Sequence, residues 1–422
     1  MQPASFFLNQ IKGIEYFQNI ASDLHIHQHI TTTTTTTSTT AFNTATTATE
    51  SIDKEQERRI LQDGYFTTNL HISHLTSRLA QGIRNLRVAG WPASFILMYD
   101  EAWELSKLID QKMGPLTGNT NNGDMLAWDI DPLRNEAGFS PHRDRQPEDI
   151  PSSFHDNGMP KYSTAWVALT DATPDNSCLY VIPKEYDPGY TTGDLDEIDP
   201  LARCLTDKTC YQNIRALPIP SGHGIFFTHR ILHWGSRGRK GKSKQEPRMA
   251  LSVACSTKDY EPSYFADETK QLPFPEYNVR LGLICGQCIC YHERFSFNGV
   301  EMKLFVDLWK QMKQFFSSFY QKKVLKELIP AIEEALKRDS TNTDGSSKEK
   351  KNVDQISDDS DDDMLDVALD AMLDGGGDMM DFHDDFDEAG EGVDIDDEDY
   401  EKVVDGDTKN LPPPAKRQKK VE

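Results

Sequence analysis

Residues 163–183 read STAWVALTDATPDNSCLYVIP. Two short runs, Ser163–Leu169 and Cys178–Ile182, are rich in β-branched and aromatic residues. Between them stand Pro174, Asp175, Asn176 and Ser177, residues that favour turns. The pattern reads as two strands joined by a loop. Runs of the same kind continue outward: MLAWDI (125–130) upstream, HGIFFTHRILHW (223–234) and MALSVAC (249–255) downstream. Many short strands at this spacing predict a mainly β domain, a sandwich or a jelly-roll barrel.

Helical patterns flank it. Gln56–Tyr65 reads as a short helix leading into a strand. Ser73–Leu86 sets Leu75, Leu79, Ile83 and Leu86 on one face, and Glu101–Met113 is a second amphipathic helix. Beyond the strands, residues 278–290 and 301–328 read as helices, with Pro330 as a start or kink before AIEEALK.

The ends are of different composition. Residues 31–50 are a threonine tract that cannot bury enough apolar surface to offset its ordering, so order is expected to begin near Lys54. Between Lys351 and Asn410 there are 24 acidic residues against three lysines, which accounts for most of the net charge of −23. The acidity therefore belongs to a tail and says little about a substrate. The predicted organisation is a disordered segment 1–54, a domain 55–300, a helical extension 301–338 and a disordered acidic tail 339–422.

Seven scattered cysteines argue against a disulfide framework and for a reducing compartment. No apolar run approaches the ~20 residues of a membrane span, and a transit peptide is only weakly signalled in residues 1–14. A protein of the cytoplasm, the nucleus or both is expected, with no membrane and no nucleic-acid partner. The terminal PPPAKRQKK resembles a nuclear import signal.

The chemistry is concentrated in three places. A mononuclear iron oxygenase needs two imidazoles and one carboxylate on one face of the metal, leaving adjacent positions for a bidentate co-substrate and oxygen. His142 and Asp144 have the i, i+2 spacing that points both side chains one way on a strand. A second histidine must come from another strand, and His233 in GIFFTHRILHWG (224–235) is the candidate, with His229 as its rival. Arg248 opens a later strand, where a guanidinium fork can hold a carboxylate.

With DGYF (63–66), SPHRD (140–144), AWVALTDATPDNSCLYVIP (165–183), LHWGS (232–236) and PRMALSVAC (247–255) in view, the chain resembles the phytanoyl-CoA dioxygenase family over roughly residues 60–300. The resemblance implies a double-stranded β-helix, a jelly-roll or cupin-like barrel. It implies iron(II) on His142, Asp144 and His233, and 2-oxoglutarate held by Arg248, with Trp166 and Ser236 lining its pocket. It also implies hydroxylation of an unactivated C–H bond using O2, since halogenating relatives lack the carboxylate supplied here by Asp144. Two departures are Trp234, where the family often has a small residue, and a long segment between His233 and Arg248.

Other features have competing readings. His25, His27 and His29 alternate, as metal ligands or as a polar linker. Cys285, Cys288 and Cys290, near His292, read as a zinc site or as small buried groups of a packed helix. Arg239, Lys240, Lys242 and Lys244 read as a solvated loop or as cations drawing in an anionic small-molecule substrate. Met364–Asp374 places Leu365, Ala368, Leu369 and Met372 at helical spacing among aspartates, as a segment that folds onto a protein partner or as part of a solubilising tail. Ser357 and Ser360 sit in an acidic context that suits phosphorylation. The reading that competes with an enzyme is a non-catalytic barrel scaffold acting through its acidic tail, and a seed-storage-like or sugar-binding cupin is a third.

Overall fold

The computed structural model describes residues 11, 13–27, 49–134, 136–146, 153–194, 199–238, 246–266 and 274–342. The chain divides into two compact units, Met1–Ser347 and Lys348–Glu422. The second lies wholly outside the described residues, and with it the predicted partner segment, phosphorylation sites and import signal.

In the first unit eight strands are described: β1 (Tyr65–Asn69), β2 (Thr120–Ile130), β3 (Tyr162–Ala168), β4 (Leu179–Ile182), β5 (Arg215–Leu217), β6 (His223–Thr228), β7 (Leu232–Gly235) and β8 (Arg248–Ser256). They form a five-stranded sheet in the order β1-β6-β3-β8-β2 and a three-stranded sheet in the order β5-β4-β7. All the pairings are antiparallel. The sequence stretch 163–183 supplies β3, at the centre of the larger sheet, and β4, at the centre of the smaller. Among the described residues the two sheets do not close into a continuous barrel.

β3 is buried along its whole length because its two faces have different neighbours. Side chains alternate across a strand. The even-numbered Thr164 and Trp166 of β3, with Trp128 of β2 and Ser252 of β8, line one cavity. Ala165 and Val167 point the other way, as do Leu251 and Val253, and all four are buried.

Helices flank the sheets, the short one at Pro200–Cys204 packing through Cys204 on Ile182 and Leu232 of the smaller sheet. In chain order they are α1 (Ile14–Ile20), α2 (Thr49–Gln62), α3 (Ser73–Val88), α4 (Asp100–Thr117), the short α5 (Pro200–Cys204), α6 (Tyr277–Cys290), α7 (Gly299–Met312) and α8 (Ser318–Asn342). Leu75, Leu79, Ile83 and Leu86 of α3 are all buried, as their spacing predicts. Cys285 and Cys288 of α6 are buried too, and burial raises the pKa of both thiols.

Three expectations need correction. Order begins before Lys54: α1 buries Phe17, whose ring stacks on Phe95 at 5.5 Å, and the Tyr99 hydroxyl donates to the Phe17 carbonyl. The helix expected over 301–328 is two helices. At Phe316 the backbone is extended (φ −112, ψ 151), and this residue, 2% exposed, bridges Phe265; burial of one aromatic ring outweighs continued helical periodicity. Finally, Pro330 starts nothing. It lies within α8.

Candidate metal centre

His142 and Asp144 were expected on a strand. They lie instead in an irregular segment touching β7 at one isolated bridge, His142 opposite His233. The two residues exchange backbone bonds, each amide donating to the other's carbonyl at 3.0 Å. Alternation survives without a ladder: Arg143, between the two candidates, turns the other way and is buried against Asp187 and Asp194.

The bridge places the imidazole rings 4.2 Å apart. Nδ1 of His142 donates to the Ser140 carbonyl at 2.7 Å, and Nδ1 of His233 to the Ile231 carbonyl at 3.1 Å. Both protons are thereby fixed on Nδ1, and both Nε2 lone pairs are left for a metal. These Nε2 atoms stand 3.8 and 3.6 Å from Oδ1 of Asp144. The Thr164 hydroxyl donates to Oδ2 of the same carboxylate, so Oδ1 is the oxygen left to ligate. Burial, with His233 beside it, lowers the His142 pKa to about 4, which keeps that imidazole neutral at physiological pH. Among the described residues these three are the one group of His, Cys, Asp and Glu whose ligand atoms gather closely, all within 4.8 Å of one another.

Close backbone approach makes the bridge feasible. Gly138 and Gly235 face each other across it. A Cβ on Gly138 would stand 2.5 Å from the Gly235 Cα, and one on Gly235 would stand 2.8 Å from the Gly138 Cα. Only two glycines allow the segment and β7 to meet at this distance.

Arg248 lies in the same cavity. It is 2% exposed, its guanidinium carbon lies 5.2 Å from the Trp166 ring centre, and burial lowers its pKa to about 10. Its Nε has no hydrogen-bond partner among the described residues, and none of the described carboxylates forms an ion pair with it. A buried cation without a counter-charge is costly unless a ligand supplies one. The donor set thus fits a divalent metal, and the arginine fits a carboxylate in the same space.

Residues 94–246 match the family profile described as phytanoyl-CoA dioxygenase (PhyH). These residues form a phytanoyl-CoA dioxygenase family domain. The match takes in His142, Asp144 and His233 and stops two residues before Arg248. The match supports a 2-oxoglutarate-dependent oxygenase. No curated protein matches the chain. Among solved structures it is similar to the non-haem α-ketoglutarate-dependent epimerase SnoN from nogalamycin biosynthesis, at 19% identity over 49% of this chain and 81% of that one (TM-score 0.37). It is also similar to the carbocyclase SnoK from the same biosynthesis, at 20% identity over 53% and 92% (TM-score 0.38). A third similarity is to EctD from S. alaskensis, at 15% identity over 50% and 79% (TM-score 0.35).

The remaining candidates fall elsewhere in the phytanoyl-CoA dioxygenase domain and its flanks. The run 224–235 is not one strand: it crosses from β6 to β7 through a turn, and His229 sits in that turn. Its Nδ1 bonds the Tyr162 carbonyl at 2.8 Å and its ring packs 5.0 Å from Phe154, apart from the ligand group. Ser236 has a buried hydroxyl without a described partner, but it is not among the residues lining the cavity. Trp234 does line it, with its ring stacked on Tyr180 at 5.8 Å. Asn176 locks the loop between β3 and β4, accepting from the Thr173 amide at 2.7 Å and donating to the Asp171 carbonyl at 2.8 Å.

His25 bonds Glu101, and His27 bonds Asp100, both acids being in the first turn of α4; they tie the N-terminal segment to that helix. The three cysteines of α6 form no metal group with His292, whose Nδ1 pairs with Glu334 at 2.7 Å. Arg239, Lys240, Lys242, Lys244 and His29 lie outside the described residues. The cavity also has a polar wall that the sequence did not disclose, formed by Asp124, Arg145 and Tyr291. These residues come from β2, the loop after Asp144 and the end of α6, and no local motif links them.

Proposed function

We propose that His142, Asp144 and His233 hold iron(II), and that Arg248 holds the distal carboxylate of 2-oxoglutarate. The reaction proposed is hydroxylation of an unactivated C–H bond in a small molecule, with an anionic substrate drawn in by the cations at 239–244. The observation that carries this reading is the buried Arg248, without a described carboxylate partner, in the cavity that also holds the three ligands.

Iron and 2-oxoglutarate together would supply the oxidising power to activate oxygen and replace C–H by C–OH. The chain's own residues bind and orient. Ser140 and Ile231 fix the tautomers of the two histidines, while Thr164 restricts Asp144 to one ligating oxygen. Trp166 lies against the Arg248 guanidinium and keeps water from its face. The long carboxylate of the co-substrate would supply the charge that Arg248 lacks. Ser236 is retained as a secondary candidate for the same pocket.

The same reading makes the two sheets the halves of a double-stranded β-helix, with the catalytic domain at 55–300, the helical extension at 301–338 and a tail that engages a protein partner in the cytoplasm or nucleus. The test is succinate release by the purified chain given iron(II), ascorbate and 2-oxoglutarate, with His142→Ala as control. Slow turnover that the substitution removes is the expected result. No turnover, with no iron-dependent binding of 2-oxoglutarate, would sink the reading in favour of a scaffold acting through its tail.

A further inference from the structure

Arg145 follows the ligand Asp144 directly, yet its side chain is absorbed by a different part of the protein. Nη1 donates to the backbone carbonyl of Asp144 at 2.7 Å. Nε and Nη2 form a fork on Glu261, at 2.8 and 2.6 Å to one oxygen and 2.8 Å to the other. The guanidinium carbon lies 4.5 Å from the Tyr162 ring centre, and Nη2 stands 3.7 Å from Asp124.

Asp124 is buried on β2 and collects donors from two C-terminal helices. Gln287 and Tyr291, at the end of α6 and just beyond it, reach it at 2.8 and 3.0 Å, as the Tyr264 hydroxyl does at 2.9 Å. Lys323 of α8 places its ammonium 3.5 Å from Asp124 and 3.5 Å from Glu261. It is the second cation for two buried carboxylates. Burial alone would raise the Asp124 pKa; Lys323 and Arg145 outweigh it and hold the group below its usual value.

We propose that Arg145 is a positioning residue for the iron-ligating segment, and that Lys323 completes the charge balance that holds it there. This rests on the iron reading of His142, Asp144 and His233. With both cations present, each carboxylate has a partner and Arg145 can spare one N–H for the Asp144 carbonyl. Without Lys323, two buried carboxylates compete for one guanidinium, which is drawn toward Asp124 and away from the ligand's backbone. Helix α8 lies beyond the 94–246 match, so the catalytic unit extends past the matched segment to at least Lys323.

The experiment is titration of the metal-free full chain with cobalt(II), read by its d–d absorption, in wild type, Arg145→Lys, Lys323→Met, Lys323→Arg and His142→Ala. Leu308→Ala, a core change in α7, controls for lost stability. Arg145→Lys and Lys323→Met are expected to weaken cobalt binding about tenfold or more and to shift the band. Lys323→Arg should stay near wild type, and Leu308→Ala should lower the melting temperature without moving the band. Lys323 is partly exposed, so its variants keep the test valid if Arg145→Lys fails to fold. Wild-type affinity and spectrum in Lys323→Met, beside a lost signal in His142→Ala, would overturn this inference alone. Cobalt binding unaffected by His142→Ala would remove the iron reading and the inference with it.

Discussion

Arg248 shows most directly how a single residue can be at odds with its surroundings until a ligand arrives. A guanidinium loses strong hydration on burial and regains it only through hydrogen bonds and counter-charge. Here the described compensation is the face of Trp166 and the more distant charge of Asp129, which burial outweighs. Arg248→Met keeps the length of the side chain and removes the charge. The ligand-free protein should therefore become more stable, by about 1–2 kcal/mol, as read by chemical denaturation. The same substitution should weaken 2-oxoglutarate binding by at least about 100-fold, measured by calorimetry with iron(II) present. A variant that loses stability and still binds 2-oxoglutarate would assign Arg248 to the core. The residue types themselves were legible in the sequence: spacing paired His142 with Asp144, strand position and the family resemblance pointed to His233 and Arg248, and the structure gathers all four around one cavity. The polar wall was not, because Asp124, Arg145 and Tyr291 come from separate parts of the chain and obey no local period.

At the scale of elements, strands announced themselves through composition, but their boundaries followed packing. β3 and β4 were readable in residues 163–183, since each is a short apolar run bounded by turn residues. The run 223–234 was harder to divide, because its apolar residues continue through the turn at His229 and Arg230, both buried, where the chain passes from one sheet to the other. The break between α7 and α8 was hidden for a related reason: Phe316 fits a helical period and is nevertheless held extended by its burial and its bridge to Phe265. The segment bearing His142 has no regular strand at all, and depends on the meeting of Gly138 with Gly235. Gly138→Ala should force these backbones apart, lower stability by about 1–3 kcal/mol and weaken metal binding. Gly114→Ala, in α4 where the nearest non-neighbour atom would be 3.9 Å away, should instead leave metal binding unchanged. Thermal melts and cobalt titration of the two variants separate the effects. Unchanged cobalt affinity in Gly138→Ala would show that the bridge does not set the ligand spacing.

At the scale of the whole molecule, the acidity and the chemistry occupy different parts of the chain. Most of the negative charge lies beyond Lys351, whereas every residue lining the candidate centre lies between Asp124 and Tyr291, and its supporting lysine is at position 323. An enzyme built this way should tolerate removal of the tail but not of α8. Deleting residues 348–422 should leave 2-oxoglutarate turnover and cobalt affinity close to those of the full chain. Ending the chain after Met312 should abolish both, because Asp124 and Glu261 lose Lys323 and α6 loses the cover that Phe316 and Tyr320 give to Gly282 and Gly286. The scaffold reading predicts another pattern, in which partner capture is lost with the tail and no turnover exists to be preserved. Measuring succinate release on the two truncations therefore decides between them: activity retained without the tail supports an autonomous oxygenase, and activity that vanishes with it would make the acidic segment part of the catalytic unit.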